Sequence, residues 1–250
     1  MLGVGKRTVS IVVVLLLSLI AASPTLAILV RPIIIDLVSS GGGANGQIEV
    51  VNDRNTAVAV EIKVKTLTLP ERGDPVIGAD ADGDFMVFPS IARLKPGGKQ
   101  VFRVRYIGNA ALPASKLYMF ATSELPVSET PGDERARIEV LYSISSVVAV
   151  RAAGAKAAIN VVGVERSTND AKLPGLRILF ENSGAAHGYV GDAALDLSSA
   201  GWRKTIDARD TSKAFGLGLI PAGARRSLFI PIGDLPSTGA VAVDLKPASK

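Results

Sequence analysis

Most nucleophilic catalysis and zinc ligation rest on histidine and cysteine, and this 250-residue chain has one histidine, His187, and no cysteine. A Ser-His-Asp arrangement would need His187 as its base. It stands in "NSGAAHG", where Asn182-Ser183-Gly184 predicts a turn that leaves the imidazole in water. No Gly-x-Ser-x-Gly elbow occurs, and imidazole and thiolate ligands are too few for zinc. "DADGD", Asp80–Asp84, resembles part of a calcium loop. With Gly83 at the sixth position of such a loop, Gly78 and Pro89 fall where the first and last ligands belong, so a polar hairpin turn is expected. "GGGANG", 41–46, lacks the Lys-Ser or Lys-Thr of a phosphate loop and reads as a turn. The expectation is a protein without enzymatic activity, cofactor or metal. A hydrolase using carboxylates alone is the enzyme alternative, and it would need two acidic groups in one cleft.

The elements around these residues alternate with period 2: Ile48 and Val50; Val58, Val60, Ile62 and Val64; Phe102, Val104 and Tyr106. That is the pattern of strands with one buried face. Turn clusters separate them, such as Pro70 to Pro75 and Lys95-Pro96-Gly97-Gly98. Helical periodicity is hard to find, and the fold class is all-β, built as sandwiches. Small residues from Ala152 to Ala155 mark a boundary, after which the same grammar resumes at 159–164, 176–180 and 228–230. Two β-sandwich domains, 28–152 and 153–250, are expected.

Residues 1–27 carry the parts of a secretory signal: Lys6 and Arg7, an apolar run from Ile11 to Ile20, and small residues to Ala27. The apolar run is too short to span a bilayer, so export and no stable membrane insertion after cleavage at Ala27 are expected. Cleavage removes Lys6 and Arg7 and no acidic residue, taking the formal net charge from +5 to +3. The basic residues are interspersed with acidic ones and aromatics are few, so no nucleic-acid partner is expected.

"RARIEVLYSISSVVAVRAAG", 135–154, alternates for some fourteen positions. An extended segment of that length reaches about 46 Å, more than most sheets need. Ile138, Val140, Tyr142 and Ile144 share one face, continued by Ser146, Val148 and Val150. Two readings fit: a buried sheet strand, or an overhanging strand able to pair with another chain.

Taken in order, "VFPSIARLKPGGKQVFRVRY" (87–106), "LPASKLYMFATSELPV" (112–127), the alternating strand ending at Arg151, "ILFENSGAAHG" and "GLIPAGARRSLFI" resemble the periplasmic chaperones of the chaperone-usher pathway. The resemblance covers most of residues 28–247. It implies two immunoglobulin-like domains in a boomerang. It also implies a donor strand that completes a pilin or fibre subunit's fold by donor-strand complementation, and delivery of that subunit to an outer-membrane usher. By this likeness Ile138, Val140, Tyr142 and Ile144 are the donor residues. The family holds the subunit's terminal carboxylate with an Arg on the first strand and a Lys on the donor strand. Here Arg31 precedes Pro32, and Ser145, Ser146 and Val147 stand near the Lys position, so Arg31, Arg103 and Arg105 are the candidate anchors. Arg151 matches the family's interdomain Arg, with Asp234 as its expected partner and Ser115 at the other acidic position. The non-chaperone alternative is a secreted two-domain adhesion or scaffold protein in which 138–150 is ordinary core.

Overall fold

The computed structural model describes residues 28–126 and 140–246. Ten strands form the first part: β1 (Ile28–Arg31), β2 (Ile34–Val38), β3 (Asn45–Asn52), β4 (Val58–Thr68), β5 (Val76–Asp80), β6 (Phe85–Phe88), β7 (Ile91–Leu94), β8 (Lys99–Tyr106), β9 (Lys116–Leu125) and β10 (Ser143–Arg151). The predicted alternation is realised in β4, where Val58, Val60, Ile62 and Val64 are buried, and in β8, where Phe102, Val104 and Tyr106 are. One sheet has the order β1-β3-β8-β6; the other runs β2-β10-β9-β4-β5, with β7 also on β4. Their inner faces share one core, to which Ile28 and Val150 both contribute.

The first strand serves both sheets. β1 pairs with β3, whereas β2 pairs in parallel with β10. The switch falls at Pro32, which has no N–H to donate to a ladder.

The "DADGD" carboxylates hold the β5–β6 connection, which crosses between the two sheets in place of the expected hairpin, since β5 pairs with β4 and β6 with β8. Asp82 accepts the Val64 N–H at 2.9 Å and Asp84 accepts the Tyr118 hydroxyl at 2.6 Å. Burial and the Asp84 carboxylate push the Tyr118 hydroxyl far above its ordinary range, so it remains a donor. Phe85 meets Tyr106, Tyr118 and Phe120 edge to face beneath this connection. Gly41–Ala44, expected as a turn, winds into a short 3-10 turn.

The second part contains β11 (Ile159–Thr168), β12 (Pro174–Asn182), β13 (Gly188–Tyr189), β14 (Ala194–Ser199), β15 (Trp202–Ile206), α1 (Ala208–Phe215), β16 (Leu219–Ile220), β17 (Arg225–Pro231) and β18 (Ala242–Lys246). Sheets β11-β12-β17 and β15-β14-β18 enclose a second core around Leu176, Ile178, Phe180, Leu195 and Ile230. The molecule is thus a pair of β-sandwiches. The helix α1 departs from the all-strand reading. Asp207 caps it by accepting the Asp210 N–H at 2.9 Å, and Gly216 ends it at a positive φ.

Candidate functional site

β10 is one strand with two environments. Val147–Val150 lie between β2 and β9, and Arg151 continues on β2 alone. Ser143–Ser146 pair with β9 alone, because β2 begins opposite Val147 and the chain before it has crossed to the other sheet. Val147 N–H donates to Ile33 O and Ser146 Oγ to Pro32 O, which closes the slot at that end. Among the described residues no strand pairs with Ser143–Ser146 on the open side. Backbone groups on such an edge are free to pair with another chain.

The strand is nine residues long, shorter than the fourteen expected. Of the donor residues, Ile138 lies outside the described residues. Val140 and Tyr142 precede the strand proper and are 60% and 55% exposed. Ile144 differs: it is half-buried and packs against the protein's own core, facing Thr122 across the ladder. Glu124 N–H donates to Tyr142 O at 2.9 Å, which adds one rung beyond Ser143. Arg54 lies over the Tyr142 ring, its guanidinium carbon 5.0 Å from the ring centroid.

The opposite end of β10 meets the second sandwich. Leu67, Leu117 and Ala149 on the outer face of the larger sheet pack against Leu219, with Met119, Val147 and Tyr189 beside them. A polar bridge flanks this apolar contact. His187 Nε2 donates to Asp36 Oδ1 at 2.7 Å, and the Tyr189 hydroxyl donates to the same oxygen at 2.7 Å. An ionised carboxylate only accepts, so Nε2 carries the proton and Nδ1 is free to accept from Ser115 Oγ, 3.1 Å away. Ser115 Oγ in turn accepts the His187 backbone N–H at 3.0 Å, and Ser115 N–H donates to Ala185 O. Burial raises the Asp36 pKa, but the hydrogen bonds from His187 and Tyr189, with Arg151 nearby, outweigh it and hold the carboxyl below its usual range. Burial and Asp36 together push the Tyr189 hydroxyl far above its own. At the other side of the junction Ser227 N–H donates to Glu71 O, and Arg72 pairs with Glu165 at 2.9 Å.

Two expectations are corrected here. His187 is not a water-exposed turn residue, since its side chain is 3% exposed, covered by the first sandwich. Asp234 is not the partner of Arg151, because it pairs with Lys204 inside the second sandwich. Arg151 nevertheless faces the junction, where its charge acts on Asp36. Ser115 is at the junction too, but as a hydroxyl in the His187 bridge.

The candidate anchors sit elsewhere. Arg103 and Arg105 point into solvent from β8, and Arg31, two-thirds exposed, pairs with Glu49 on the same outer face. At the closed end of the slot the exposed side chain is Ile33. Among the described residues no group of three His, Asp or Glu side chains is placed to hold a metal, and no helix is long and apolar enough to cross a membrane.

Fold and site together define a two-domain β-sandwich with a strand segment, paired on one side only, leading away from its domain junction. Residues 35–151 match the model of the pili and flagellar-assembly chaperones' PapD N-terminal domain. The match takes in most of the first sandwich and a little under half of the chain, and likens that sandwich to the N-terminal domain of a pilus-assembly chaperone. Among solved structures, the class 5 fimbriae chaperone CfaA is 13% identical, with a TM-score of 0.51 over 89% of this chain and 100% of that one. The YadV chaperone is 14% identical, with a TM-score of 0.51 over 87% and 91%. A chain from a chaperone-tip adhesin complex of CFA/I fimbriae is 12% identical, with a TM-score of 0.50 over 89% and 100%. At such identities the likeness is one of fold. No curated protein sequence matches the chain.

Proposed function

We propose that this protein is a periplasmic chaperone that caps pilus or fibre subunits by lending them a strand and delivers them to an outer-membrane usher. The observation that carries this reading is the open side of Ser143–Ser146, continued by exposed Val140 and Tyr142. A subunit lacking one strand presents an apolar groove and unpaired backbone groups. The open edge supplies main-chain partners, and alternate side chains supply the apolar filling. Full burial of a side chain of the size of Val140 contributes roughly 1.5 to 3 kcal/mol before ordering costs. Ile138 is the further lent side chain in this reading. Ile144 contributes at the boundary between the protein's own core and the subunit's.

The secretory segment 1–27 lies outside the described residues, and its removal on export is part of the proposal. For the subunit's terminal carboxylate, Arg31 is the nearest in sequence to Pro32 of the three candidate cations, and it would have to leave Glu49 to serve.

The test is affinity purification of the full chain from the periplasm, with mass spectrometry of what accompanies it. The wild type should bring down a fibre subunit. Val140→Asp should remain folded, with an unchanged thermal midpoint, and lose the subunit; undiminished recovery would overturn the reading.

A further inference from the structure

Arg54 has no part in either sandwich core or in the domain junction, yet it is one of the most constrained charged side chains in the molecule. It lies in the turn between β3 and β4. Asn52, fully buried, fixes that turn: its Nδ2 donates to Thr56 O at 2.8 Å and Lys95 O at 3.0 Å, and its Oδ1 accepts the Arg54 N–H at 3.1 Å. From there the guanidinium reaches Glu124 with both terminal nitrogens, at 3.2 and 2.6 Å. The pair is well enclosed, with 19% of the Arg54 and 5% of the Glu124 side chain exposed.

A pair this enclosed is a poor device for stability, because desolvation offsets most of the attraction and well-packed apolar residues would do as well. A bidentate guanidinium does fix geometry, however, since the planar fork admits few orientations. The plane fixed here lies against the Tyr142 ring. Glu124, the other half of the pair, also carries the backbone N–H that donates to Tyr142 O. Among the described contacts, these two are what direct the chain just before β10, where β2 gives no support.

We propose that Arg54 is the positioning residue of the lent segment. Clamped by Asn52 and Glu124, its guanidinium holds Tyr142 in line with β9, so that residues 140–144 leave the sheet extended and in register for a subunit groove. The proposal rests on the strand-lending reading above. It assigns Arg54 and Glu124 a part in setting the segment's path, while the lent side chains supply the burial. A cation–π contact at a partly exposed ring corresponds to roughly a twofold to fivefold change in a local equilibrium.

Hydrogen exchange followed by mass spectrometry on the full chain tests this without a subunit. Arg54→Lys keeps the charge opposite Glu124 and loses the fork and the plane. The double variant Arg54→Met with Glu124→Met removes the pair without leaving a buried orphan charge. In both, the β9-facing amides of Ile144 and Ser146 should exchange roughly twofold to fivefold faster while those of β4 keep wild-type rates. Tyr142→Phe, which keeps the ring, should exchange like wild type. Unchanged rates at Ile144 and Ser146, or acceleration spread evenly over β4 and β9, would overturn the proposal. A second arm titrates the subunit identified in the wild-type complex against each variant, with a matching weakening expected. If Val140→Asp still binds that subunit, strand lending itself fails. If Val140→Asp abolishes binding and the Arg54 variants bind as wild type, only the role of Arg54 fails.

Discussion

The two halves of β10 share a sequence pattern and differ in neighbours. Val148 and Val150 alternate with Val147 and Ala149 between two paired strands, and both valines are fully buried. Val140 and Tyr142 continue the same face, but the strand that flanked them has crossed to the other sheet, and both are more than half exposed. Alternation therefore says which side chains point together, while the neighbouring strand decides whether they fill this protein's core or remain free for another's. Ile144 lies at the transition and does part of each.

Charge substitution offers the sharpest contrast. Val148→Asp should destabilise the protein by about 4 kcal/mol or more, since it buries a carboxylate with no partner; denaturant titration measures it. Val140→Asp should move the same titration by less than about 0.5 kcal/mol. Equal losses at the two positions would erase the distinction between the halves.

The junction end of the strand gives the next effect. His187→Ala removes the Asp36 and Ser115 hydrogen bonds and should cost about 1 to 3 kcal/mol. Fluorescent labels on the two sandwiches should report a broader distance distribution in that variant, with slot amides unaffected. Acid should act through the same bridge. The folded Asp36 carboxyl lies below its ordinary value of 3.8, so the stability it contributes is complete above that value and is lost as pH falls through the lower folded one. Asp36→Asn should abolish this share of the acid sensitivity, as read from thermal midpoints between pH 5 and pH 2.

The smallest effect is expected at the outer face of the other sheet. Arg103→Ala and Arg105→Ala should change stability by less than about 0.5 kcal/mol and leave subunit recovery intact. A loss of recovery would show that the outer face of that sheet takes part in holding a subunit.

Alternation made β4 and β8 legible, because inward β-branched and aromatic side chains at every second position leave few other structures open. It also showed the shared face of Val140, Tyr142 and Ile144. Local sequence could not show that His187 is buried, since its cover comes from Asp36 and Ser115, 151 and 72 residues away. The same distance hid the clamp of Arg54 on Glu124. The helix α1 carries a local signal, Asp207 as cap, Asp210 in the first turn and Gly216 as stop, but it is short and set among strand-like neighbours. Asp234 drew attention through a family pattern, and the nearby Lys204 engages it first.

Pro32, where the first strand changes sheets, acts as a ruler. It fixes an open slot of four residues, Ser143 to Ser146, or about 13 Å of strand. A partner strand longer than that must run past Ser143 onto the lent segment itself. Moving the crossing point by two residues would lengthen or shorten the slot by about 7 Å and keep every side chain on its face. On the proposed strand-lending reading, the length of partner strand that can be measured out is thus written in the first strand, outside residues 140–144.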